Sequence, residues 1–413
     1  MKTYTVKFKQ AALMTGIALG GVASSGAMIP ASALSFNFTP AAGTSQAAID
    51  GFAAAGARWS SLFTDPVTVN IDINFTALGT GILAQASSTR QEYSYSDVYT
   101  ALFNDRTSTD DRTAVASLAT GSTFNMLLNR TSNRPTGLDI ATPYLDNNGN
   151  ANNSKVNISN ANAKALGLIM NSSAGSITNL EEVADFGSST ASLSSGIISN
   201  VTLAPASIAP DASIAFSTGF VFDFDPSNGI DDNKIDFIGV ATHEIGHALG
   251  FTSGVDVLEF NSPNLGNGQF FSDDQFTFVN SLDLFRYSTE SKNNNAIDWT
   301  ADARDKYLSF DRGATSIGAL ATGSRFGDGQ QASHWKDNLE LGIMDPTFAF
   351  RELGIIREND LRAFDVIGWN RATVAAEVPE PADFIGTAIG AAFGVKLVQK
   401  RRQQLSKSTA KVV

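Results

Sequence analysis

The residues best suited to chemistry lie together at His243-Glu244-Ile245-Gly246-His247. On a helix, His243 and His247 are about one turn apart and project from the same face. Two imidazoles on one face can bind one Zn²⁺, and Glu244 is then placed to take a proton from a bound water. The alternative is an ordinary amphipathic helix with two surface histidines. The pattern favours a zinc site, which needs a third ligand from elsewhere in the chain.

Composition limits where that third ligand can come from. The chain of 413 residues has no cysteine and three histidines, of which the third is His334. Thiolate ligands and disulfide bonds are therefore excluded, and the ligand must be His, Asp or Glu.

Hydrophobic residues make up 43% and charged residues 17%, as expected for a globular protein with a core. The net charge of −12 argues against nucleic acid or an anionic membrane surface as a partner of the folded domain.

Local patterns predict the elements that position the motif. Residues 45–63 have the apolar spacing of a helix, and residues 67–75 alternate as a half-buried strand does. A helix followed by a strand indicates an α/β arrangement in this part of the chain. Residues 211–217 alternate more weakly and predict an edge strand beside the motif helix, where an extended peptide could bind by strand addition. We expect Asp236 to cap the motif helix and Gly250 to end it in the left-handed conformation.

The motif continues as H-E-x-x-H-x-x-G to Gly250 and resembles that of the metzincin metalloproteases. Most metzincins have a third histidine three residues later, where this chain has Ser253. His334-Trp335, followed by Gly342-Ile343-Met344-Asp345-Pro346, is similar to the leishmanolysin branch, in which a long insertion precedes the third histidine. Here the insertion would be residues 251–333. The resemblance implies that His334 is the third zinc ligand and that Met344 forms a Met-turn beneath the three imidazoles.

The same resemblance implies an α+β fold for a catalytic domain at residues 34–376. An α/β-type upper lobe, with a mixed twisted sheet and the active-site helix, would extend to about residue 250. The lower lobe, residues 251–370, would contain the Met-turn and a C-terminal helix. The amphipathic pattern predicts that this helix runs over residues 359–367, capped by Asn359 and ended by Gly368.

Two other metal interpretations remain open. In a gluzincin-type peptidase the third ligand is a carboxylate, for which Asp256 and Glu259 are the candidates. That interpretation leaves His334 and Met344 unexplained and ranks second. Separately, the acidic loop at residues 223–232 could bind Ca²⁺, although its glycine is misplaced for an EF-hand and no glutamate closes it. A solvated acidic turn is the preferred interpretation of that loop.

Both ends of the chain have the pattern of targeting segments. Residues 1–33 combine a basic start, an apolar run and an A-x-A site, as a signal peptide does. Residues 377–402 contain Pro-Glu-Pro, a short apolar run and a basic cluster, and resemble a PEP-CTERM sorting signal; residues 403–413 form a basic tail. The resemblance implies processing by an exosortase-like enzyme and transient membrane anchoring through the tail. We expect export, with the protein secreted or held at the envelope of a Gram-negative-type bacterium.

These observations predict a secreted zinc endopeptidase acting on peptides or proteins. His243, His247 and His334 would bind one zinc ion, and Glu244 would serve as the general base. No organic cofactor is expected. The alternative from another class is a non-catalytic cell-surface or matrix protein on a metalloprotease fold.

Overall fold

The computed structural model describes the chain over residues 34–133, 135–169, 180–181, 210–261 and 270–372. The fold is of the mixed α+β class, as predicted. The predicted signal peptide, sorting tail and basic tail lie outside the described residues. Within those residues, no helix combines the length and the apolar character needed to cross a membrane.

The predicted first helix is confirmed. The Ser45 side chain accepts a hydrogen bond from the backbone N–H of Ala48 (3.2 Å) and so caps the helix at its start. The helices of the described residues are α1 (Gln46–Ser60), α2 (Tyr95–Asp105), α3 (Thr109–Ser117), α4 (Ala151–Ser154), α5 (Asn160–Ala165), α6 (Phe237–Leu249), α7 (Val255–Leu258), α8 (Thr289–Asn293) and α9 (Glu358–Val366).

The strand predicted at residues 67–75 is also confirmed, one residue further along. The strands of the described residues are β1 (Ser35–Pro40), β2 (Thr68–Thr76), β3 (Ala84–Ser94), β4 (Met126–Leu128), β5 (Tyr144–Asp146), β6 (Lys155–Ser159), β7 (Leu180–Glu181), β8 (Ala212–Ser217), β9 (Phe222–Asp223), β10 (Ile235–Asp236), β11 (Arg286–Tyr287), β12 (Ile297–Asp298), β13 (Lys306–Leu308) and β14 (Gly318–Leu320).

The main sheet has the strand order β1-β2-β8-β3-β6, with β7 paired to β3. Strands β1, β2 and β8 are parallel, whereas β3 is antiparallel to both β8 and β6. Val69, Ile71 and Ile73 alternate along β2 and are buried, so one face of the strand is buried in the core. Small sheets form elsewhere, with orders β10-β9, β11-β13-β14 and β12-β4-β5.

The prediction that residues 211–217 form an edge strand is wrong. These residues form β8, which pairs with β2 on one side and with β3 on the other. Its neighbours come from distant parts of the chain, and an alternating pattern does not reveal them. The strand that lies along the functional cleft is β3. Among the described residues, Ala84–Ser87 are paired on one side only, with β8.

Helix α6, which contains the histidine motif, packs against α1 and against β3. The indole N–H of Trp59 on α1 donates to the carbonyl of Thr242 on α6 (2.9 Å), and both residues are fully buried. Phe237 at the start of α6 packs on Phe52 and Phe216, with ring centroids 5.4 and 4.5 Å away. The described residues as far as Arg371 belong to one compact unit. Aromatic packing therefore holds the motif helix firmly against the sheet.

The C-terminal helix begins one residue earlier than predicted, at Glu358. The prediction that Asn359 caps it is wrong, because the residue before the first turn is Arg357. The backbone N–H of Arg357 donates to Oδ2 of Asp360 (2.7 Å), which fixes this start. Gly368 follows the helix with φ of +108°, a left-handed conformation.

A cluster of carboxyl groups connects α2 and α3 to the end of the compact unit. The Asn370 side chain donates to Oδ1 of Asp105 (2.8 Å) and to Oδ1 of Asp65 (3.1 Å). Ser108 donates to Oδ2 of Asp365 (2.6 Å). The pKa of Asp105 is raised from 3.8 to about 7, mainly by burial and also by neighbouring carboxyl groups, against the lowering effect of the Asn370 hydrogen bond. The pKa of Asp365 is also raised to about 7, mainly by burial.

The substitution Asp105→Asn should stabilise the protein at pH 8 and have a clearly smaller effect at pH 5. A carboxyl group whose pKa is raised on folding favours the folded state at low pH, and this contribution is lost as the pH rises from about 4 through about 7. The amide removes the buried charge and keeps an oxygen for Asn370. We expect a gain of roughly 1–2 kcal/mol in unfolding free energy at pH 8, after discounting for solvent screening. Thermal unfolding at both pH values checks this, and a pH-independent difference would contradict it.

Candidate metal centre

Helix α6 presents His243 and His247 on one face. Nearly all of its residues are buried, and His243 and Glu244 are each only 6% exposed. The helix ends as predicted at Gly250, whose φ of +117° is left-handed. Asp236 occupies the N-cap position, but its side chain makes no capping bond and instead accepts from the N–H of Gly354 (3.0 Å). The two ends of the motif helix are thus predicted correctly, but the Asp236 side chain does not cap it.

A distant loop brings the third histidine to the same point. His334 lies 87 residues beyond His247, and its Nε2 is 3.1 Å from Nε2 of His247. The other two Nε2–Nε2 distances are 3.0 Å, between His243 and His247, and 3.2 Å, between His334 and His243. Within the described part of the chain, this buried group could hold a metal ion, and it is the one cluster of three or more potential ligands found there.

The hydrogen bonds of the three Nδ1 atoms determine the protonation state of the three Nε2 atoms. Nδ1 of His243 is 2.8 Å from the carbonyl of Ile343, and Nδ1 of His247 is 2.7 Å from that of Phe251. Nδ1 of His334 is 3.3 Å from the carbonyl of Gln331. A carbonyl only accepts, so each Nδ1 carries the proton and each Nε2 of a neutral ring presents a lone pair.

Three lone pairs this close repel one another unless they share a cation. Nitrogens that are about 2.0–2.1 Å from one tetrahedral centre lie roughly 3.4 Å apart, close to the distances observed here. Burial also keeps the rings neutral. It lowers the pKa of His243 to about 4 and that of His334 to about 3, and lowers the pKa of His247 well below its usual range. Neutral, convergent imidazoles with their Nδ1–H groups held by carbonyls are a donor set that fits Zn²⁺.

The two carboxylates considered as alternative third ligands have other partners. Asp256 accepts from the backbone N–H groups of Ala332 (2.6 Å) and Ser333 (3.2 Å) and from the Ser333 hydroxyl. Glu259 accepts from backbone N–H groups at residues 324–326 (2.9–3.0 Å). Both belong to the buried support of the loop that leads to His334, and neither lines the cleft.

Ser253, which follows the glycine turn, also supports this loop. Its N–H donates to the Ser333 hydroxyl (2.8 Å), and its own hydroxyl donates to Asp283 (2.6 Å). The chain following the glycine turn is therefore bonded to the residue immediately before His334. Because Ser333 also donates to Asp256, three segments are joined behind the third imidazole.

Met344 is fully buried against the motif helix. A Cβ added at Gly246 would collide with the Met344 sulfur, so the close approach of this side chain depends on the glycine between the two histidines. The Met344 carbonyl accepts from the N–H of Trp335 (3.0 Å). Asp360 on α9 accepts from the indole N–H of Trp335 (2.8 Å) and from the N–H of Ile343 (2.8 Å). These bonds hold together the Met344 turn, Trp335 beside the third histidine, and α9.

The three histidines and Glu244 line one cleft with a volume of about 410 Å³. Strand β3 forms one wall through residues 84–86, 88 and 90. Residues 346–350, which follow the Met344 turn, form another part of the lining. Among the described residues that line the cleft, Glu244 is the one carboxylate, and it shares the cleft with all three imidazoles, a position from which a carboxylate could act as a general base.

Three residues of the site were not predicted from the sequence: Asp256 as support of the His334 loop, Asp360 as support of the Met344 turn, and Arg90 in the cleft wall. Asp256 was considered only as a ligand. Asp360 lies in the first turn of a predicted helix, where an Asp usually indicates a cap. Arg90 lies on a strand with no motif around it. For Arg90 we find no signal in the sequence that could have identified it.

The carboxylates of the acidic loop at residues 223–232 bond to the loop's own backbone and to nearby cations. Asp223 accepts from the backbone N–H groups of Asp225 (3.1 Å) and Asp231 (2.9 Å), and Lys234 pairs with Asp231 (2.6 Å). No ligand cluster is found at this loop among the described residues. This geometry agrees with a solvated acidic turn.

A scan against protein-family models and searches of curated proteins and of solved structures find no significant match to this chain.

Proposed function

We propose that this protein is a zinc-dependent endopeptidase of the metzincin type, similar to the leishmanolysin branch. One observation carries the proposal: three neutral imidazoles converge through Nε2 in a cleft that also contains Glu244. His243, His247 and His334 are the proposed ligands. Three protein ligands leave a fourth position open, which distinguishes a catalytic zinc site from a structural one.

In the proposed reaction, the zinc ion and Glu244 have separate roles. Zinc bound by the three histidines would lower the pKa of water and polarise the scissile carbonyl. Glu244 takes a proton from the attacking water and delivers it to the leaving amine. The carbonyls that accept from the three Nδ1–H groups hold the rings in the required tautomer and orientation. Met344, packed on Gly246, provides the apolar base of the site, the role that the resemblance implies for it.

The cleft suits an extended peptide. Strand β3 lines it, and among the described residues Ala84–Ser87 have one strand neighbour, β8. A substrate in extended conformation can add to this side of β3 through main-chain hydrogen bonds. At the same cleft, Leu83, Phe220, Phe348 and Phe350 supply apolar contact area for side chains. These features support peptide hydrolysis, and they move the proposed strand addition from β8 to β3.

We also propose that the protein is exported. The signal-peptide pattern at residues 1–33 and the PEP-CTERM-like tail at residues 377–402 support export, followed by exosortase-like processing. Protein substrates would then be met outside the cytoplasm. The absence of cysteine is compatible with an oxidising compartment, since no thiol needs protection there.

Metal removal tests the function directly. The purified chain should contain about one zinc ion per molecule and cleave casein; a chelator should abolish cleavage, and added Zn²⁺ should restore it. Metal content is measured by elemental analysis and cleavage by release of peptides. Cleavage that survives complete loss of zinc would refute a zinc peptidase. Stoichiometric zinc without any cleavage would favour the non-catalytic protein.

A further inference from the structure

Asp236, at the N-cap position of α6, bonds to a distant loop instead of to its own helix. It is fully buried, and within the described residues its side chain makes no capping bond. Oδ2 accepts from the backbone N–H of Gly354 (3.0 Å), while Oδ1 has no hydrogen-bond partner among the described residues. A buried carboxylate with an unsatisfied oxygen costs free energy. Departures of this kind occur mainly at functional sites, so the segment that Asp236 holds is of interest.

That segment forms one wall of the cleft. The wall loop is residues 345–353, between Met344 and Gly354. These two end residues are buried, whereas none of the described residues between them is. Residues 346–350 of the wall loop line the cleft. The loop therefore hangs between two buried ends and contributes its middle part to the site.

Phe348 places this wall against the metal site. Its ring meets the ring of His243 edge-on, with centroids 6.1 Å apart and an interplanar angle of 86°. The wall loop also borders a second cavity of about 420 Å³, to whose lining Thr347 and Phe348 belong. A loop that borders two cavities has few packing contacts, so its position depends on its attachments.

Both backbone polar groups of Gly354 are held by side chains. Its N–H donates to Asp236, and its carbonyl accepts from Nη1 of Arg58 on α1 (3.1 Å). The backbone itself lies against the first turn of α6, because a Cβ added at Gly354 would be 2.6 Å from Cα of Gly239. One end of the wall loop is thereby fixed to the start of the motif helix.

The attachments within the loop are more exposed. The N–H of Arg351 donates to the carbonyl of Lys234 (3.1 Å), and its side chain pairs with Asp232 (2.7 Å) where both are exposed to solvent. The Thr347 hydroxyl donates to Asp337 (2.9 Å), also at the surface. Exposed ion pairs contribute little, whereas a buried, charge-assisted bond such as that of Asp236 is stronger.

Asp236 and two of the proposed metal ligands belong to one helix. His243 follows Asp236 by seven residues, about 10 Å along the helix axis. The carboxylate therefore fixes the wall loop to the same element that carries His243, Glu244 and His247. Strand β3, which forms another wall of the cleft, packs against this helix too. The bond to Gly354 thus bears on the distance between the walls.

We propose that Asp236 is a positioning residue of the cleft: by holding Gly354, it sets the place of the wall loop and so the affinity for substrate groups that lie against this loop. Asp236 does not itself line the cleft. A wall that is held in place raises affinity, because less ordering remains to be done on binding. This inference rests on the proposed function, since it concerns the substrate cleft of the same site.

The variant Asp236→Ser separates capping from holding. Serine is among the best N-cap residues, so α6 keeps its start, but the hydroxyl ends one bond short of the oxygen that reaches Gly354. Asp236→Asn keeps an acceptor at the same reach. Arg58→Met removes the other bond to Gly354 without any change in α6. The matched control is Arg112→Met, which removes a bond from an exposed arginine to the carbonyl of Thr107 (3.3 Å) outside the cleft.

Two zinc-binding probes distinguish effects on the metal from effects on the wall. Hydroxamates bind Zn²⁺ through two oxygens; acetohydroxamate ends there, whereas phenylpropionohydroxamate carries a ring that extends into the cleft. Calorimetry on the zinc-loaded protein measures Kd for each. We expect Asp236→Ser to weaken the aromatic probe by about 5–50-fold and acetohydroxamate by less than about threefold. Arg58→Met should show the same selectivity with a smaller loss, and Asp236→Asn and Arg112→Met should stay within about threefold.

Phe348→Ala shows whether the ring of the aromatic probe lies against the wall. It should weaken this probe and leave acetohydroxamate unchanged. If it weakens neither probe, the wall takes no part in binding and the proposal fails.

Hydrogen exchange of the zinc-loaded protein reports on the wall loop itself. In Asp236→Ser, amides at residues 345–354 should exchange at least about tenfold faster, and those at residues 243–250 should not change. Faster exchange throughout α6 would show a general loosening of the helix and overturn the proposal. An unchanged affinity for the aromatic probe in Asp236→Ser, or an equal loss for both probes, would also overturn it.

Hydroxamate binding needs no turnover, so the result stands even if no peptide is cleaved and the proposed hydrolysis fails. If Asp236→Ser does not fold, Arg58→Met decides by the same criteria. An unmodified chain that binds neither zinc nor acetohydroxamate would refute the proposed metal site, and this inference would fall with it.

Discussion

Glu244→Gln is expected to lower kcat/KM for peptide hydrolysis by about 10²–10⁴-fold while zinc stays bound at full stoichiometry. The amide has nearly the same shape as the carboxylate but cannot accept the proton of the attacking water. The three proposed ligands are other side chains, and their Nδ1 atoms are held by backbone carbonyls that this change does not touch. Binding and catalysis should therefore separate in this variant.

The matched control for this prediction is Glu340→Gln, the same change at an exposed side chain outside the cleft. It should keep zinc content and activity within about twofold, as surface substitutions usually do. The measurements are elemental zinc analysis and initial rates on one quenched peptide. Activity of Glu244→Gln equal to that of the control would remove Glu244 from the mechanism. Loss of zinc from Glu244→Gln would show that the carboxylate supports the ligands as well.

Residues with local signals were predicted well. The motif helix was expected to end at Gly250, and it does so through a left-handed glycine. The strand at residues 67–75 was recovered because its alternation records burial on one face. The convergence of His334 with the helix was reached by resemblance and by the shortage of other histidines, since no local pattern connects residues so far apart.

The features that the sequence did not predict depend on which distant segments of the chain become neighbours in the fold. Strand β8 alternates as an edge strand would, yet it lies inside the sheet because β3 returns antiparallel beside it. Asp256 lies between two valines and Asp360 lies after a run of polar residues, and neither setting shows that the fold buries them among N–H donors. Whether a carboxylate binds metal or backbone is decided by tertiary contacts, which a single sequence does not contain.

These two buried carboxylates have a common role in the site. Asp256 binds the backbone just before His334, and Asp360 binds the turn that contains Ile343 and Met344. Burial raises the pKa of Asp256 to about 7 and that of Asp360 to about 6, against the lowering effect of their hydrogen bonds. The free-energy cost of burying them is offset by several bonds each, and the result is a rigid loop that delivers the third imidazole.

His334→Ala is expected to weaken zinc binding by more than the 10–100-fold that loss of an outer-shell partner typically costs. The change leaves two imidazoles on α6, and the described structure provides no other His, Asp or Glu within the same ligand group. Zinc that binds only the folded chain would also stabilise it by mass action, by about 4 kcal/mol at a free concentration 1,000 times Kd. The rise in Tm on adding zinc should therefore shrink or vanish in this variant.

The matched variants for this last prediction are Glu259→Gln and Met344→Leu. A carboxylate third ligand would reverse the expected pattern, because Glu259→Gln would then lose zinc and His334→Ala would keep it. Met344→Leu keeps volume and apolar character, so it should retain zinc and cost less than about 1.5 kcal/mol of stability. Zinc affinity is measured by competition with a chromogenic chelator, and circular dichroism without metal reports folding. Zinc bound equally tightly by His334→Ala and the unmodified chain would show that the third imidazole is not a ligand.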